Sequence, residues 1–183
     1  QAMQKILRLA LLFTALTAPA LAQRNIGEVV VEAEKDTIPV RVSANAAELN
    51  QLALQAFGSH GRYRLAASGY AYDIKFTLAG SNQVRVDITR GRGGEAFASE
   101  VASGSSARDA LLRAADIAVA KTNGLGLRGF FASQLAFIGE RTGKKEVYTS
   151  DLFFGGAKQI TKDNAHALTP RWSPDGRKLL YTS

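Results

Sequence analysis

The sequence contains no cysteine, and this absence excludes several kinds of chemistry at once. The chain as printed cannot form a disulfide, bind a metal through a thiolate or carry a lipid on an N-terminal cysteine. Only two histidines are present, His60 and His166, and neither is close in sequence to another histidine. We therefore expect no metal site and no cofactor, and a fold that packing alone stabilises.

Residues of like charge are spread along the sequence and form no long runs. The 23 Lys and Arg residues and 16 Asp and Glu residues give a net charge of +7, yet no run of five or more like charges occurs. Loss of residues 1–22 would remove Lys5 and Arg8 but no acid, which lowers the net charge to +5. Such a distribution does not predict a nucleic-acid partner or a polybasic membrane surface.

The N-terminal segment has the organisation of a secretory signal peptide. Lys5 and Arg8 follow Met3, the only methionine, and precede an apolar stretch from Leu9 to Ala18. The tripeptide at 20–22 then forms an A-x-A cleavage site. Residues 1–22 are therefore predicted to be a signal peptide that is removed on export.

A transmembrane anchor is the alternative interpretation of this segment. Thr14, Thr17 and Pro19 interrupt the apolar run, which is shorter than the roughly 20 residues that a membrane-spanning helix requires. No stable membrane insertion is therefore expected after cleavage.

Residues 23–129 contain two stretches with the periodicity of an amphipathic helix. The first runs from Asn45 to Phe57, with Asn45 as the predicted N-cap and Gly58 as the predicted stop. The second begins at Ser106, which forms a capping box with Asp109, and ends near residues 123–124. Both helices present an apolar face that must be buried. The predicted stripe of the second helix consists of Ala107, Ala110, Leu111, Ala114, Ile117 and Ala118.

Strand periodicity of two residues occurs in the same part of the chain. It predicts one strand or two short ones within 28–42, followed by strands at 70–79, 83–89 and 95–102 that turns join into an antiparallel meander. A half-buried sheet and two amphipathic helices can cover each other's apolar faces. Residues 23–129 are therefore predicted to be a two-layer α+β domain with an antiparallel sheet.

Residues 130–183 show only strand and turn patterns, with strands predicted at 135–139, 146–152 and 157–161. The segment Leu135–Gly139 resembles Leu179–Ser183 at an offset of 44 residues, a period typical of a four-stranded propeller blade. Trp172, the only tryptophan, precedes a predicted type I turn formed by Ser173, Pro174, Asp175 and Gly176. We therefore predict the first blade of an all-β propeller and the start of a second, in a chain that belongs to a longer protein.

The stretch from Ser106 to Ser183 resembles the TolB family. The resemblance rests on a helix that ends near a glycine, an Arg-Thr-Gly turn, a Lys-Gln-Ile-Thr sequence and the segments 131–138, 146–151 and 170–176. Trp-Ser-Pro-Asp-Gly repeats also occur in propellers attached to serine peptidases, so the N-terminal part of an exported propeller-containing peptidase remains the alternative. A signal peptide, a small α+β domain and a propeller directly after the second helix favour TolB.

The resemblance implies a non-enzymatic, periplasmic protein-interaction scaffold of the Tol-Pal system, which supports envelope integrity during cell division. It implies protein partners, namely the peptidoglycan-associated lipoprotein Pal on the propeller and TolA at the mature N-terminus. The N-terminal positions that would contact TolA are Gln23, Arg24, Asn25 and Ile26.

Three further residues are candidate partner contacts, and no catalytic residue is predicted. Phe153 and Phe154 lie in a turn, and aromatic side chains are enriched among residues that dominate binding energy, although packing in a core explains the pair equally well. His166 lies in a loop and is assigned to the surface. Residues 172–176 are assigned a structural role in the repeat. The sequence contains no G-x-S-x-G elbow for a serine nucleophile.

Overall fold

The computed structural model describes residues 37–91, 94–123, 130–163 and 165–183. The predicted signal peptide, the proposed TolA contacts and the strand prediction before residue 37 lie outside these ranges. The elements in chain order are β1 (Ile38–Ala44), α1 (Ala47–Ser59), β2 (Tyr63–Leu65), β3 (Tyr72–Gly80), β4 (Gln83–Arg90), β5 (Ala96–Ser103), α2 (Ala107–Thr122), β6 (Gln134–Gly139), β7 (Glu146–Asp151), β8 (Lys158–Gln159), β9 (Leu168–Trp172) and β10 (Leu179–Thr182).

The first five strands form one mixed sheet in the order β2-β1-β3-β4-β5. The predicted antiparallel meander of β3, β4 and β5 is confirmed, but β1 runs parallel to both β2 and β3. The prediction of a purely antiparallel sheet was therefore wrong. Periodicity identifies a strand without giving its direction, and β2 has only three residues, of which Tyr63 alone is buried, so it shows no alternation.

The two predicted helices are present and share one core with one face of this sheet. The strand periodicity is visible in β4, where Val84, Val86 and Ile88 are buried and Arg85 is exposed. The helices contribute their apolar stripes to the same cluster, so the fold of this part is the predicted two-layer arrangement. The largest fully buried side chains of this core are Phe57, Phe76, Phe131, Ile74, Ile88, Leu111, Leu112, Val40, Val84, Val86 and Val119.

Both ends of α1 differ from the prediction. Ala46 occupies the N-cap position and makes no capping bond through its side chain, while the Asn45 side-chain oxygen accepts a hydrogen bond of 3.0 Å from the backbone N–H of Leu78. Asn45 therefore links the helix entrance to β3 instead of capping the helix. Gly58 lies within the helix, which ends one residue later at Ser59.

Helix α2 begins as predicted, but more of it is buried than the predicted stripe. The Ser106 hydroxyl accepts a hydrogen bond of 3.2 Å from the backbone N–H of Asp109, and the Asp109 carboxylate accepts one of 2.8 Å from the N–H of Ser105. Leu112 and Asp116 are buried outside the predicted stripe. A second side of the helix is covered because the chain at residues 131–132 lies against it.

The remaining strands form two small antiparallel units. Strands β6, β7 and β8 make a three-stranded sheet in that order, and β9 pairs with β10 as a hairpin. The strand predictions at 135–139 and 146–152 agree with β6 and β7 to within a residue, whereas only Lys158–Gln159 of the predicted strand 157–161 is formed. A propeller blade has four strands, so the start of a propeller and the domain boundary after residue 129 stay predictions.

Candidate functional site

A cleft of about 400 Å³ lies between the N-terminal turn of α2 and the end of the three-stranded sheet. We call it the junction cleft. Its wall on the helix includes Ser106, Arg108 and Leu112, and its wall on the sheet includes Gln134, Thr149 and Asp151. The cleft thus marks the place where the helical layer meets the strands that follow it.

An ion pair closes one side of the junction cleft. The Arg108 guanidinium on α2 binds the carboxylate of Asp151 at the end of β7 through Nε, and its second nitrogen lies 3.4 Å from the other carboxylate oxygen. Burial alone would raise the pKa of Asp151, but Arg108 and the backbone N–H groups of Gly155 and Phe153 together lower it. Asp151 therefore stays ionised and its favourable contribution is lost only as pH falls through that lowered pKa.

The same carboxylate organises the turn that follows β7. One Asp151 oxygen accepts hydrogen bonds of 2.8 Å from the backbone N–H groups of both Phe153 and Gly155. The backbone N–H of Phe154 donates to the Asp151 carbonyl over 3.1 Å. The turn at residues 152–156 is therefore held by Asp151, which is itself bound by Arg108. We call this unit of Arg108, Asp151 and residues 152–156 the aromatic turn.

Phe154 is displayed by the aromatic turn at the surface. Its backbone φ is 57°, a left-handed conformation that is unfavourable for a bulky residue, and its side chain is 65% exposed. The ring makes an edge contact with Phe137 on β6, with 5.5 Å between centroids. Strained residues of this kind are concentrated at functional sites, because the surrounding structure must hold them in place.

Phe153, the neighbouring candidate, lies on the other side of the turn. It is partly buried against the main core, and its ring centroid is 6.3 Å from that of Phe131. Of the two phenylalanines, Phe154 is therefore the one whose ring is offered to solvent.

His166 is exposed and lies beside the β6–β7 turn. Its Nδ1 accepts a hydrogen bond of 3.3 Å from the backbone N–H of Lys145, and the neighbouring Ala167 donates to the Lys145 carbonyl over 2.7 Å. The loop that carries His166 is therefore fixed to that turn.

Trp172 is the last residue of β9, and residues 173–176 form the turn that leads towards β10. The backbone N–H of Gly176 donates to the Ser173 carbonyl over 2.9 Å, and Gly176 has a φ of +67°, which glycine adopts at little cost. Trp172 borders a second cavity of about 390 Å³ that Arg113 and Gln134 also line. Its indole N–H is buried and makes no hydrogen bond within the described part of the chain.

The charged side chains at and beside the junction cleft are paired with each other. Arg108 is paired with Asp151, and Arg113 is paired with Asp109 over 3.0 Å. Among the residues that the structure describes, no group of three or more His, Cys, Asp or Glu side chains is placed to hold a metal ion. No helix within the described ranges is both long and apolar enough to cross a bilayer. The pairing of Arg108 with Asp151 positions the aromatic turn, because the same carboxylate accepts hydrogen bonds from two backbone N–H groups of that turn.

Substituting Gly155 with alanine is expected to disrupt the aromatic turn. A Cβ at this position would lie 2.1 Å from Arg108 Nε, so the guanidinium must move away from Asp151. We expect a loss of about 1 kcal/mol in the free energy of unfolding, measured by urea denaturation, because the contact weakens an ion pair whose arginine is 38% exposed. Gly61→Ala is the control, because no atom lies within 4 Å of its Cβ position, and it should change stability by less than about 0.5 kcal/mol. Equal effects of the two substitutions would contradict the role of Gly155.

Sequence reasoning did not identify Arg108 and Asp151 as members of the site. They are separated by 43 positions in the sequence. Arg108 was assigned only to the second predicted helix, and Asp151 only to the end of a predicted strand. The aromatic pair after Asp151 was the one local signal for this turn.

Part of the chain is similar in sequence to proteins named TolB. No family model matches the chain. The "Protein TolB homolog" of Chlorobium luteolum is 39% identical over 57 residues, which is 31% of this chain and 13% of that protein. The "Tol-Pal system protein TolB" of Desulfosudis oleivorans is 40% identical over 58 residues, or 32% of this chain and 13% of that protein.

A solved structure extends the similarity beyond these short matches. The crystal structure of TolB from Acinetobacter baumannii superposes with a TM-score of 0.62 at 16% sequence identity, over 80% of this chain and 44% of that one. At this identity the match shows the fold alone. The chain thus spans less than half the length of that TolB, and its matched segments cover 13% of the curated relatives.

Proposed function

We propose, from the premise that this chain is of the TolB family, that it acts as a non-enzymatic protein-interaction scaffold of the Tol-Pal system. The sequence relatives and the structural match both support the family. The observation that carries the proposal is this agreement between a short sequence match and a fold match over 80% of the chain. The name of a relative gives the system, and the scaffold role is what the family resemblance implies.

The proposed location is the periplasm, reached through the predicted signal peptide in residues 1–22. The segment has the charged start, apolar centre and A-x-A site of an exported protein. The relative from Desulfosudis oleivorans is named as a component of the Tol-Pal system. Export and family together support a periplasmic scaffold.

The proposed partners are the peptidoglycan-associated lipoprotein and TolA. For TolA we propose contact with the mature N-terminus, Gln23 to Ile26. For a partner of the folded part we propose Phe154 as the central contact, with His166 as a further exposed candidate. An exposed aromatic ring held by a rigid turn supports this assignment, because it loses little conformational freedom on binding.

The proposal is tested by affinity capture with the complete protein lacking residues 1–22. We expect it to retain a peptidoglycan-associated lipoprotein from an envelope extract of the same organism, and to give no labelling with a serine-directed phosphonate. Capture of no such lipoprotein, together with stoichiometric phosphonate labelling, would favour the alternative of a propeller-containing serine peptidase.

A further inference from the structure

A buried carboxylate holds the chain at the point where it enters the second group of strands. Asp116 on α2 is only 9% exposed. One of its oxygens accepts a hydrogen bond of 2.7 Å from the backbone N–H of Phe131, and the other accepts one of 3.0 Å from the N–H of Ala132. Residues 131–132 lead directly into β6, so this double hydrogen bond joins the helical layer to the three-stranded sheet.

Within the part of the chain that the structure describes, Arg113 and His60 are the other charged or titratable groups that interact with Asp116. Arg113 lies on the same helix, where it also pairs with Asp109, and it interacts electrostatically with Asp116. His60 follows the end of α1 and makes edge contacts with the rings of Phe130 and Phe131, both at 5.6 Å between centroids. The segment that Asp116 binds is aromatic and uncharged, so it supplies hydrogen-bond donors and no counter-ion.

Burial is the largest influence on the pKa of both Asp116 and His60. It raises the pKa of Asp116, and the lowering effects of the two N–H groups, Arg113 and His60 do not cancel this rise. Burial likewise lowers the pKa of His60. Asp116 therefore takes up its proton at a less acidic pH than an ordinary aspartate does.

We propose that Asp116 is a protonation-sensitive clasp for residues 131–132. In its ionised form both oxygens accept a backbone hydrogen bond. When one oxygen gains a proton it becomes a hydroxyl, which is a weaker acceptor than a carboxylate oxygen and must turn its own hydrogen away, so one of the two N–H groups is held less firmly. The segment entering β6 is then less firmly held to α2, while the buried Phe131 ring still anchors it to the core.

The loosening is local and does not amount to acid unfolding. A carboxyl group whose pKa is raised in the folded state binds its proton more tightly there than in the unfolded chain. The contribution of Asp116 to global stability is therefore fully present at low pH and is lost as pH rises through the folded-state pKa. As pH falls, protonation of Asp116 therefore loosens the clasp, yet it favours the folded state over the unfolded chain.

The clasp is tested by NMR and hydrogen exchange on the folded protein. We expect the amide signals of Phe131 and Ala132 to titrate together, with a midpoint above that of an ordinary aspartate. As pH is lowered through that midpoint, the hydrogen-exchange protection of these two amides, corrected for intrinsic rates, should fall about tenfold or more. Protection at Ala114, fully buried on the same helix, should remain constant.

Substitutions separate the clasp from other titrating groups. Asp116→Asn should abolish this titration and give low protection at residues 131–132 at every pH. Asp87→Asn removes a surface carboxylate that binds Arg85 over 3.0 Å, and it should leave the titration unchanged. Amide signals that do not titrate in the wild-type protein would overturn the proposal, as would an unchanged titration in the Asp116→Asn variant. The wild-type titration decides the question even if that variant does not fold.

Discussion

Replacing Phe131 with alanine is expected to lower the free energy of unfolding by about 3 to 5 kcal/mol. The side chain is fully buried, and its ring centroid lies 5.6 Å from that of Phe57 in α1. Phe131 lies between α2 and β6 in the chain, so it adds a side chain to the core from a segment that is neither helix nor strand. Its removal would leave a cavity between the helical layer and the following strands, which the surrounding elements cannot readily fill.

The measurement is chemical denaturation of matched variants followed by circular dichroism. Phe130→Ala is the control, because Phe130 is the adjacent residue and an identical side chain, yet it is 38% exposed. We expect it to cost less than about 1.5 kcal/mol. Equal destabilisation by the two substitutions would show that Phe131 has no special role in joining the two parts.

The second large effect concerns binding. Phe154→Ala is expected to weaken the interaction with the peptidoglycan-associated lipoprotein by about 30-fold or more, since central aromatic contacts contribute about 2 kcal/mol or more. Val101→Ala on β5 removes another exposed apolar side chain, 55% exposed in a different sheet, and should leave affinity unchanged. Titration calorimetry with each variant measures the difference.

A glycine at the same position distinguishes binding from folding. Phe154→Gly removes the ring but suits a φ of 57° better than phenylalanine does, so the folded protein should be at least as stable as the wild type. We therefore expect affinity to fall while stability is retained. Wild-type affinity in both variants would exclude Phe154 as a contact residue.

The elements that were predicted correctly are those with strong local signals. Helix α2 has an apolar stripe, and the cap at Ser106 forms the predicted hydrogen bond. The meander from β3 to β5 alternates buried and exposed residues and is joined by turns. Each of these features is encoded within a stretch of about ten to twenty residues, so periodicity and capping chemistry detect it.

The features that were missed depend on distant parts of the chain. The parallel pairing of β1 with β3 is decided by which strands come together in the sheet, and Asn45 bonds to Leu78 because β3 passes beside the helix entrance. The clasp at Asp116 requires the chain to return to α2 after residue 129. A single sequence shows where an acid lies but not which backbone groups approach it.

The functional prediction depended most on the family resemblance. Phe153 and Phe154 were singled out because aromatic side chains are enriched among residues that dominate binding energy. The contacts that hold their turn became visible only in the structure. Arg108 and Asp151 contribute from opposite sides of the junction cleft. The structure thus adds a physical reason why the ring of Phe154 is displayed while that of Phe153 is partly buried against the core.

The most direct test of the scaffold function is a binding titration with purified components. The complete protein without residues 1–22 is titrated with the soluble domain of the peptidoglycan-associated lipoprotein from the same organism. The proposed function predicts saturable one-to-one binding with a Kd of about 1 μM or tighter, equivalent to about −8 kcal/mol. Absence of binding up to about 1 mM lipoprotein, with circular dichroism showing a folded protein, would contradict it.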